Sequence, residues 1–196
     1  MTVVFVFGDI GSGKTEFCAD LAELGARVIS SDSLVAELYS NDIAMLNEIE
    51  ELFGRNLRQP DGTADKKLIA ELVFKDSLLR EKLEAVIHPR VARLLQRELS
   101  QSSASVVIYE ASALKQTSDT SLADVLVEVV ADESLRRQRL ADRGMNLSDI
   151  DARIRSQSDD LTRMERRDVV VSNDEGPEEL KREAQRLFSV WSAPHD

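Results

Sequence analysis

Positions 8 to 15 of the chain read Gly8-Asp9-Ile10-Gly11-Ser12-Gly13-Lys14-Thr15. This run fits the pattern G-x-x-x-x-G-K-[ST] of a phosphate-binding loop at every constrained position. Glycines let the backbone turn so that successive N–H groups point at phosphate oxygens, and a following helix adds the positive end of its dipole. We therefore expect all residues of the loop to contact the phosphates of a nucleotide.

Two side chains of the loop have specific expected roles. Lys14 is expected to reach the β- and γ-phosphates of ATP and to take part in catalysis, and the Thr15 hydroxyl is expected to ligate Mg²⁺. The glycine spacing differs from the G-x-G-x-x-G of dinucleotide-binding folds, and the chain has no Asn-Lys-x-Asp tetrad of the kind that reads guanine. The loop pattern therefore favours a small-molecule kinase that uses ATP and Mg²⁺.

Short apolar runs alternate with helical patterns along the chain. The predicted strands are Thr2–Phe7, Arg27–Ile29, Val106–Tyr109, Val125–Val130 and Asp168–Val171. Beyond the helix that follows the loop, the predicted helices are Ser33–Tyr39, Ile43–Phe53, Lys66–Phe74, Ser77–Val86, Pro89–Leu99, Ser134–Arg143, Asp149–Gln157 and Pro177–Val190. Strands that alternate with helices predict an α/β fold, here a P-loop fold with a five-stranded parallel sheet flanked by helices.

The chain of 196 residues is expected to form a single kinase domain. Its core is predicted over residues 1–32, 100–135 and 165–190. The strandless helical stretch at about 42–99 is expected to form a lobe that binds the acceptor. An arginine-rich segment at about 136–163, with a polar turn after Arg143, has the composition of a lid.

Composition excludes several classes of protein. A net charge of −11 would repel a nucleic acid backbone, so no nucleic acid partner is expected. No run approaches the roughly 20 apolar residues of a membrane helix, and the N-terminus lacks the features of a signal peptide, so a cytoplasmic protein without a membrane partner is expected. Cys18 is the only cysteine and is expected to be a buried thiol.

Charge is unevenly distributed along the chain. Between Arg136 and Arg167 there are nine arginines and six acids, a local charge of +3 on a body that carries −14. Such a basic segment suits the capture of a compact polyanion such as a nucleotide, although an arginine-rich helix facing solvent gives the same pattern.

The chain resembles the dephospho-CoA kinase family from about residue 3 to about residue 187, in several segments that follow one another in the order of the family. The segments that carry the resemblance are the phosphate loop, Val28-Ile29-Ser30-Ser31-Asp32, Leu52-Phe53-Gly54, Asp61-Gly62, Phe74-Lys75-Asp76, Leu83-Glu84-Ala85-Val86-Ile87-His88-Pro89, Arg139-Leu140-Ala141-Asp142-Arg143, Gln157, and Asp168-Val169-Val170-Val171-Ser172-Asn173. The resemblance implies transfer of the ATP γ-phosphoryl group to the ribose 3′-hydroxyl of the small-molecule substrate dephospho-CoA, the last step of coenzyme A synthesis.

Several residues outside the loop are candidates for the site, some from their place in the predicted elements and some from the resemblance. Asp32 looks like the catalytic aspartate that accepts the proton of the acceptor; its alternative is an N-cap for a helix beginning at Ser33. Glu110 could hold Mg²⁺ or orient the acceptor, and its alternative is an ordinary acid at a strand end. Arg143 and Arg139 look like lid arginines, the first catalytic and the second binding ATP, and their alternative is a solvated helix face. His88 is expected to be structural, between two helices.

The chain also departs from the pattern of the family. Ser30 stands where an aspartate is usual, Lys66 where an arginine is usual, and Arg163 where a lysine is common. The segment from Glu110 to Leu114 also differs from the usual Asp-x-Pro-Leu-Leu. Two rival functions stay open: another P-loop kinase of small molecules or nucleotides, and an ATP-dependent switch protein that transfers nothing.

Overall fold

The computed structural model of the chain describes residues 1–111, 114, 118–158 and 164–193. Arg163 and part of the segment between Glu110 and Leu114 lie outside the described residues. The strands are β1 Thr2–Phe7, β2 Arg27–Ser30, β3 Val106–Glu110, β4 Val125–Val130 and β5 Val169–Ser172. The helices are α1 Lys14–Glu23, α2 Ser31–Asn41, α3 Ile43–Phe53, α4 Lys66–Lys75, α5 Ser77–Ser100, α6 Glu133–Asp142, α7 Leu147–Ser158 and α8 Pro177–Trp191.

The five strands form one parallel sheet in the order β2-β3-β1-β4-β5. The central strand β1 pairs with β3 on one side and with β4 on the other. The chain therefore leaves β1 where the strand order reverses, at the edge where the carboxyl ends of all strands meet and where ligands of such sheets bind. The predicted α/β fold with a five-stranded parallel sheet flanked by helices is confirmed.

The core of the sheet is built from β-branched side chains. Val4 and Val6 of β1 are fully buried, and they pack in one cluster with Phe17 and Leu21 of α1 and with Leu180 of α8. Burial of each such side chain contributes roughly 1.5–3 kcal/mol to the free energy of unfolding. This packing fixes α1 to the sheet, and so fixes the loop that joins β1 to α1.

The chain divides into two compact units. The first comprises Met1–Ser30 and Gln101–Asp196, and it contains the sheet. The second, Ser31–Ser100, is helical, and α5 contacts α2, α3 and α4 within it. Its interior holds Met45 and Ile49 of α3 and Leu95 of α5, all nearly inaccessible to solvent.

One element of the helical unit differs from the prediction. The predicted helices Ser77–Val86 and Pro89–Leu99 are one continuous helix, α5, with Pro89 inside it. Buried residues continue at helical spacing across the proline, from Val86 to Val91, and this packing outweighs the backbone hydrogen bond that proline cannot make. Although α5 is 24 residues long, neither it nor any other described helix is apolar enough along such a length to cross a membrane.

The start of α2 also differs from the prediction. The helix begins at Ser31, immediately after β2, and not at Ser33. Asp32 therefore lies in the first turn of the helix, and the alternative that it precedes the helix as its N-cap is wrong. A carboxylate in this first turn interacts favourably with the helix dipole.

Candidate active site

The loop between β1 and α1 turns through glycines with left-handed backbone angles. The φ angle is 79° at Gly11 and 96° at Gly13, and Gly13 directly precedes Lys14, the first residue of α1. The N–H groups of a first helical turn have no carbonyl within the helix to bond, and the helix dipole favours anions at this end. The end of β1 and the start of α1 thus present N–H groups suited to phosphate oxygens.

Next to Lys14, the side chain of Thr15 in the first turn of α1 meets a carboxylate at the end of β3. The hydroxyl of Thr15 donates a hydrogen bond to the carboxylate of Glu110, with 2.6 Å between Oγ1 and Oε1. Glu110 is the last residue of β3 and lies beside Val6 of β1 and Ser30 of β2 in the strand ladder. The carboxyl ends of three neighbouring strands therefore surround this pair.

These two oxygens fit a magnesium ion of the kind that accompanies a nucleotide. Mg²⁺ prefers hard oxygen ligands and usually takes only one or two of them from the protein, with phosphate and water as the others. Within the described parts of the chain, no group of three or more His, Cys, Asp or Glu side chains forms a separate metal centre. The hydroxyl of Thr15 and the carboxylate of Glu110 match such a sparse site.

Cys18, one turn along α1 from the loop, is buried as expected. Burial raises the pKa of its thiol far above the ordinary range, the nearby carboxylate of Glu110 raises it further, and Lys14 opposes them. The thiol therefore stays protonated at neutral pH, and since only a thiolate is an effective nucleophile, Cys18 acts as a packing residue of α1.

The guanidinium of Arg139, on α6, contacts the backbone of the phosphate loop. Its Nη2 donates to the carbonyl oxygen of Asn173 at 2.8 Å, and its Nη1 lies 3.4 Å from the carbonyl oxygen of Gly11. The side-chain amide of Asn173 in turn donates to the carbonyl oxygen of Ser12 at 2.9 Å. Carbonyls held in this way on the outer side of a loop leave its N–H groups to face the ligand.

Two further contacts join the helices α6 and α7 to the loop. Nη1 of Arg136 donates to Oδ2 of Asp9 at 2.9 Å, and Oε1 of Gln157 accepts a hydrogen bond from the N–H of Ile10 at 3.0 Å. Sequence reasoning missed the roles of Arg136, Gln157 and Asn173. The resemblance includes Gln157 and Asn173, but no spacing along the chain indicates that they face the loop.

Arg143 differs from these arginines. It is the C-cap residue of α6, it is exposed, and its guanidinium has no hydrogen-bond or ion-pair partner among the described residues.

Four other arginines of the basic segment have carboxylate partners within the sheet-containing unit. The pairs are Arg136 with Asp9, Arg137 with Glu133 and Asp151, Arg166 with Asp168, and Arg167 with Glu128. Much of the charge of the segment is thus compensated locally.

Asp32 lies two residues beyond the carboxyl end of β2 and is exposed. The last residue of β2, Ser30, is paired in the ladder with Glu110 of β3. Asp32 therefore follows, by two residues, the strand end that pairs with Glu110.

The chain is similar to known proteins over nearly its whole length. The chain matches the family described as Dephospho-CoA kinase over residues 2–179. Dephospho-CoA kinase of Geobacter sulfurreducens is 32% identical over 196 residues, covering 98% of each chain, and that of Anaeromyxobacter dehalogenans is 33% identical over 193 residues, covering 96% and 92%. The crystal structure of TT1252 from Thermus thermophilus superimposes with a TM-score of 0.79 at 29% identity, covering 96% of this chain and 97% of that one.

Proposed function

The chain belongs to the dephospho-CoA kinase family, and from this membership we propose that it transfers the γ-phosphoryl group of ATP to the ribose 3′-hydroxyl of dephospho-CoA. The observation that carries the proposal is the phosphate loop, complete in its glycines, lysine and threonine and placed between β1 and α1 in a chain that matches the family over residues 2–179. The products are coenzyme A and ADP.

Phosphoryl transfer requires mainly positioning and neutralisation of charge. The N–H groups of residues 8–15 surround the phosphates in our proposal, and the ammonium group of Lys14 contacts the β- and γ-phosphates. Thr15 and Glu110 hold Mg²⁺, which supplies further positive charge to the phosphates when it is bound. Each of these groups stabilises charge that grows on the phosphate oxygens as the reaction proceeds.

Asp32 is our candidate for the general base. The 3′-hydroxyl oxygen forms a bond to the γ-phosphorus while the bond from that phosphorus to the bridging oxygen of ADP breaks. The proton of the hydroxyl passes to the carboxylate of Asp32, and ADP leaves with the electron pair of the broken bond. The position of Asp32, just beyond the carboxyl end of a parallel strand, is where catalytic side chains of such sheets occur.

The two lid arginines have different proposed roles. In our proposal, the guanidinium of Arg143, exposed at the end of α6, contacts the γ-phosphoryl group during transfer. A cation at that position stabilises the transition state. Arg139 contributes to ATP binding through the loop carbonyls of Gly11 and Ser12 that its guanidinium contacts.

The proposal is tested by incubating the purified chain with MgATP and dephospho-CoA and measuring both ADP and coenzyme A. We expect one coenzyme A for each ADP, and Lys14→Ala should lose transfer by roughly 10²- to 10³-fold because it removes one electrostatic contact to the phosphates. Lys181→Ala, which removes an exposed lysine paired with Glu23, is the matched control and should keep full activity.

Two results would overturn the proposal. Preference for another hydroxyl-bearing acceptor in a panel would show a different small-molecule kinase. Slow ATP hydrolysis that no acceptor stimulates would show a nucleotide-dependent switch protein.

A further inference from the structure

The phosphate loop contains a carboxylate, Asp9, directly after its first glycine. A negative charge in a loop that binds a triphosphate opposes the ligand by like-charge repulsion, and the repulsion is strong where water is partly excluded. Neither the loop pattern nor the family resemblance requires an acid at this position, so its presence calls for a compensating group.

Arg136 of α6 supplies that group. Its Nη1 lies 2.9 Å from Oδ2 of Asp9, and only 8% of the Arg136 side chain is exposed, against 22% for Asp9. A guanidinium this deeply buried requires a carboxylate, because an unpaired buried cation is strongly destabilising. Its Nε has no hydrogen-bond partner among the described residues, so the contact with Asp9 is the hydrogen bond that the structure gives this guanidinium.

The backbone of Arg136 is also in contact with the loop. A Cβ atom built on Gly11 would lie 2.9 Å from the carbonyl oxygen of Arg136, so α6 touches the turn of the loop itself. On the same side, Ile10 packs against a buried cluster of Leu140, Ile150 and Ile154. The guanidinium of Arg136 therefore has little freedom to move away from Asp9.

We propose that Arg136 is a positioning residue for ATP, which cancels the charge of Asp9 at the phosphate loop and holds the loop against α6. The inference rests on the proposed function, since it assigns Arg136 to the ATP site of that reaction. Because the Arg136 side chain is more deeply buried than that of Asp9, we expect the loss of either one to have a different effect. Loss of Arg136 leaves a partly hydrated anion beside the phosphates, whereas loss of the Asp9 charge leaves a buried cation without this carboxylate.

The test uses the full chain with three variants: Arg136→Gln, Asp9→Asn and the double variant. For Arg136→Gln we expect the Kd of MgATP, measured by calorimetry without acceptor, to rise about tenfold, the scale expected for one charge beside a partly buried polyanion. Asp9→Asn should lower the melting temperature and should weaken MgATP binding less than Arg136→Gln does. The double variant should bind MgATP within about threefold of the parent, because both charges are gone and the two amides can still form a hydrogen bond.

Arg137→Gln is the matched control, since Arg137 is the next residue of α6 and bonds Glu133 at the surface. It should leave the Kd of MgATP unchanged. Equal weakening of MgATP binding by Arg136→Gln and Asp9→Asn, without recovery in the double variant, would overturn the proposal. It would show that the ion pair only stabilises the fold. An unchanged Kd in Arg136→Gln would overturn it as well. Because calorimetry reports ATP binding without transfer, these results stay distinct from a failure of the proposed reaction.

Discussion

The side-chain amide of Asn173 occupies the space that a Cβ atom on Gly13 would need. That amide donates to the carbonyl oxygen of Ser12 at 2.9 Å, so it lies against the turn through which the loop enters α1. Asn173 follows β5, on the opposite side of the sheet order from β2, and reaches the loop across β4. Asn173, although distant in sequence, thus holds the loop in place by packing against Gly13.

This fit predicts a large effect for Gly13→Ala. The new methyl group would collide with Asn173, break its hydrogen bond to Ser12 and require a left-handed backbone of a non-glycine residue, which costs about 1–2 kcal/mol by itself. We expect a lower melting temperature and loss of most transfer activity. Gly25→Ala is the control, because Gly25 also has a positive φ of 105° but nothing within 4 Å of its added Cβ. It should lose stability alone, and full activity in Gly13→Ala would contradict the role of this contact.

The pair formed by Thr15 and Glu110 predicts a change in magnesium dependence. Thr15→Val removes the hydroxyl and Glu110→Gln removes the carboxylate charge, so both should raise the Mg²⁺ concentration for half-maximal activity, by roughly tenfold for loss of one ligand. Thr15→Ser keeps the hydroxyl and should behave like the parent. The measurement is a titration of activity with Mg²⁺ at fixed ATP, and an unchanged midpoint in both variants would place the metal elsewhere.

Arg139 and Arg143 should give different kinetic defects although both lie on or at the end of α6. Arg139→Ala removes the donor to the carbonyls of Asn173 and Gly11, so it should weaken MgATP binding and lower the melting temperature together. Arg143→Ala removes an exposed arginine, so it should lower kcat more than it weakens ATP binding, as expected for a contact made mainly in the transition state. Equal losses of ATP affinity and kcat in Arg143→Ala would show a static binding residue.

The fold is largely predictable from the sequence because its signals are local. The five β-branched runs and the helical patterns between them lie within single elements, and the ends of β4 and α3 match the prediction to the residue. The error at Pro89 has a different origin. Proline predicts a helix start by its own backbone chemistry, and only the packing of Val86 and Val91 on the rest of the helical unit makes α5 continuous.

For the candidate site too, the sequence predicts the parts that are formed by neighbouring residues and not the contacts between distant ones. Its loop is a contiguous motif, so the proposed roles of Lys14 and Thr15 can be read from neighbouring residues. The contacts of Arg136 with Asp9 and of Gln157 with Ile10 join residues 127 and 147 positions apart. One sequence without relatives contains no signal for such pairs, because an arginine facing the loop and one facing solvent have the same local pattern.

The role of Asp32 separates a transferring kinase from a protein that only binds ATP. Asp32→Asn keeps the size and hydrogen-bonding capacity of the side chain but cannot accept a proton. If Asp32 is the base, transfer to dephospho-CoA should fall by roughly 10²-fold or more, the usual contribution of general base catalysis, while the Kd of MgATP stays the same. Because Asp32 lies in the first turn of α2, loss of its charge should also cost about 0.3–1 kcal/mol of stability.

A second aspartate at a helix start provides the control for that variant. Asp76 accepts hydrogen bonds from the N–H groups of Leu78 and Leu79 as α5 begins, so Asp76→Asn makes the same chemical change at the start of another helix of the same unit. It should keep full activity. Loss of MgATP binding in Asp32→Asn would instead show that Asp32 holds the metal, since Mg²⁺ binds a carboxylate more strongly than an amide. Unchanged transfer, with only the small loss of stability, would leave Asp32 as a helix-dipole residue and require another base for the reaction.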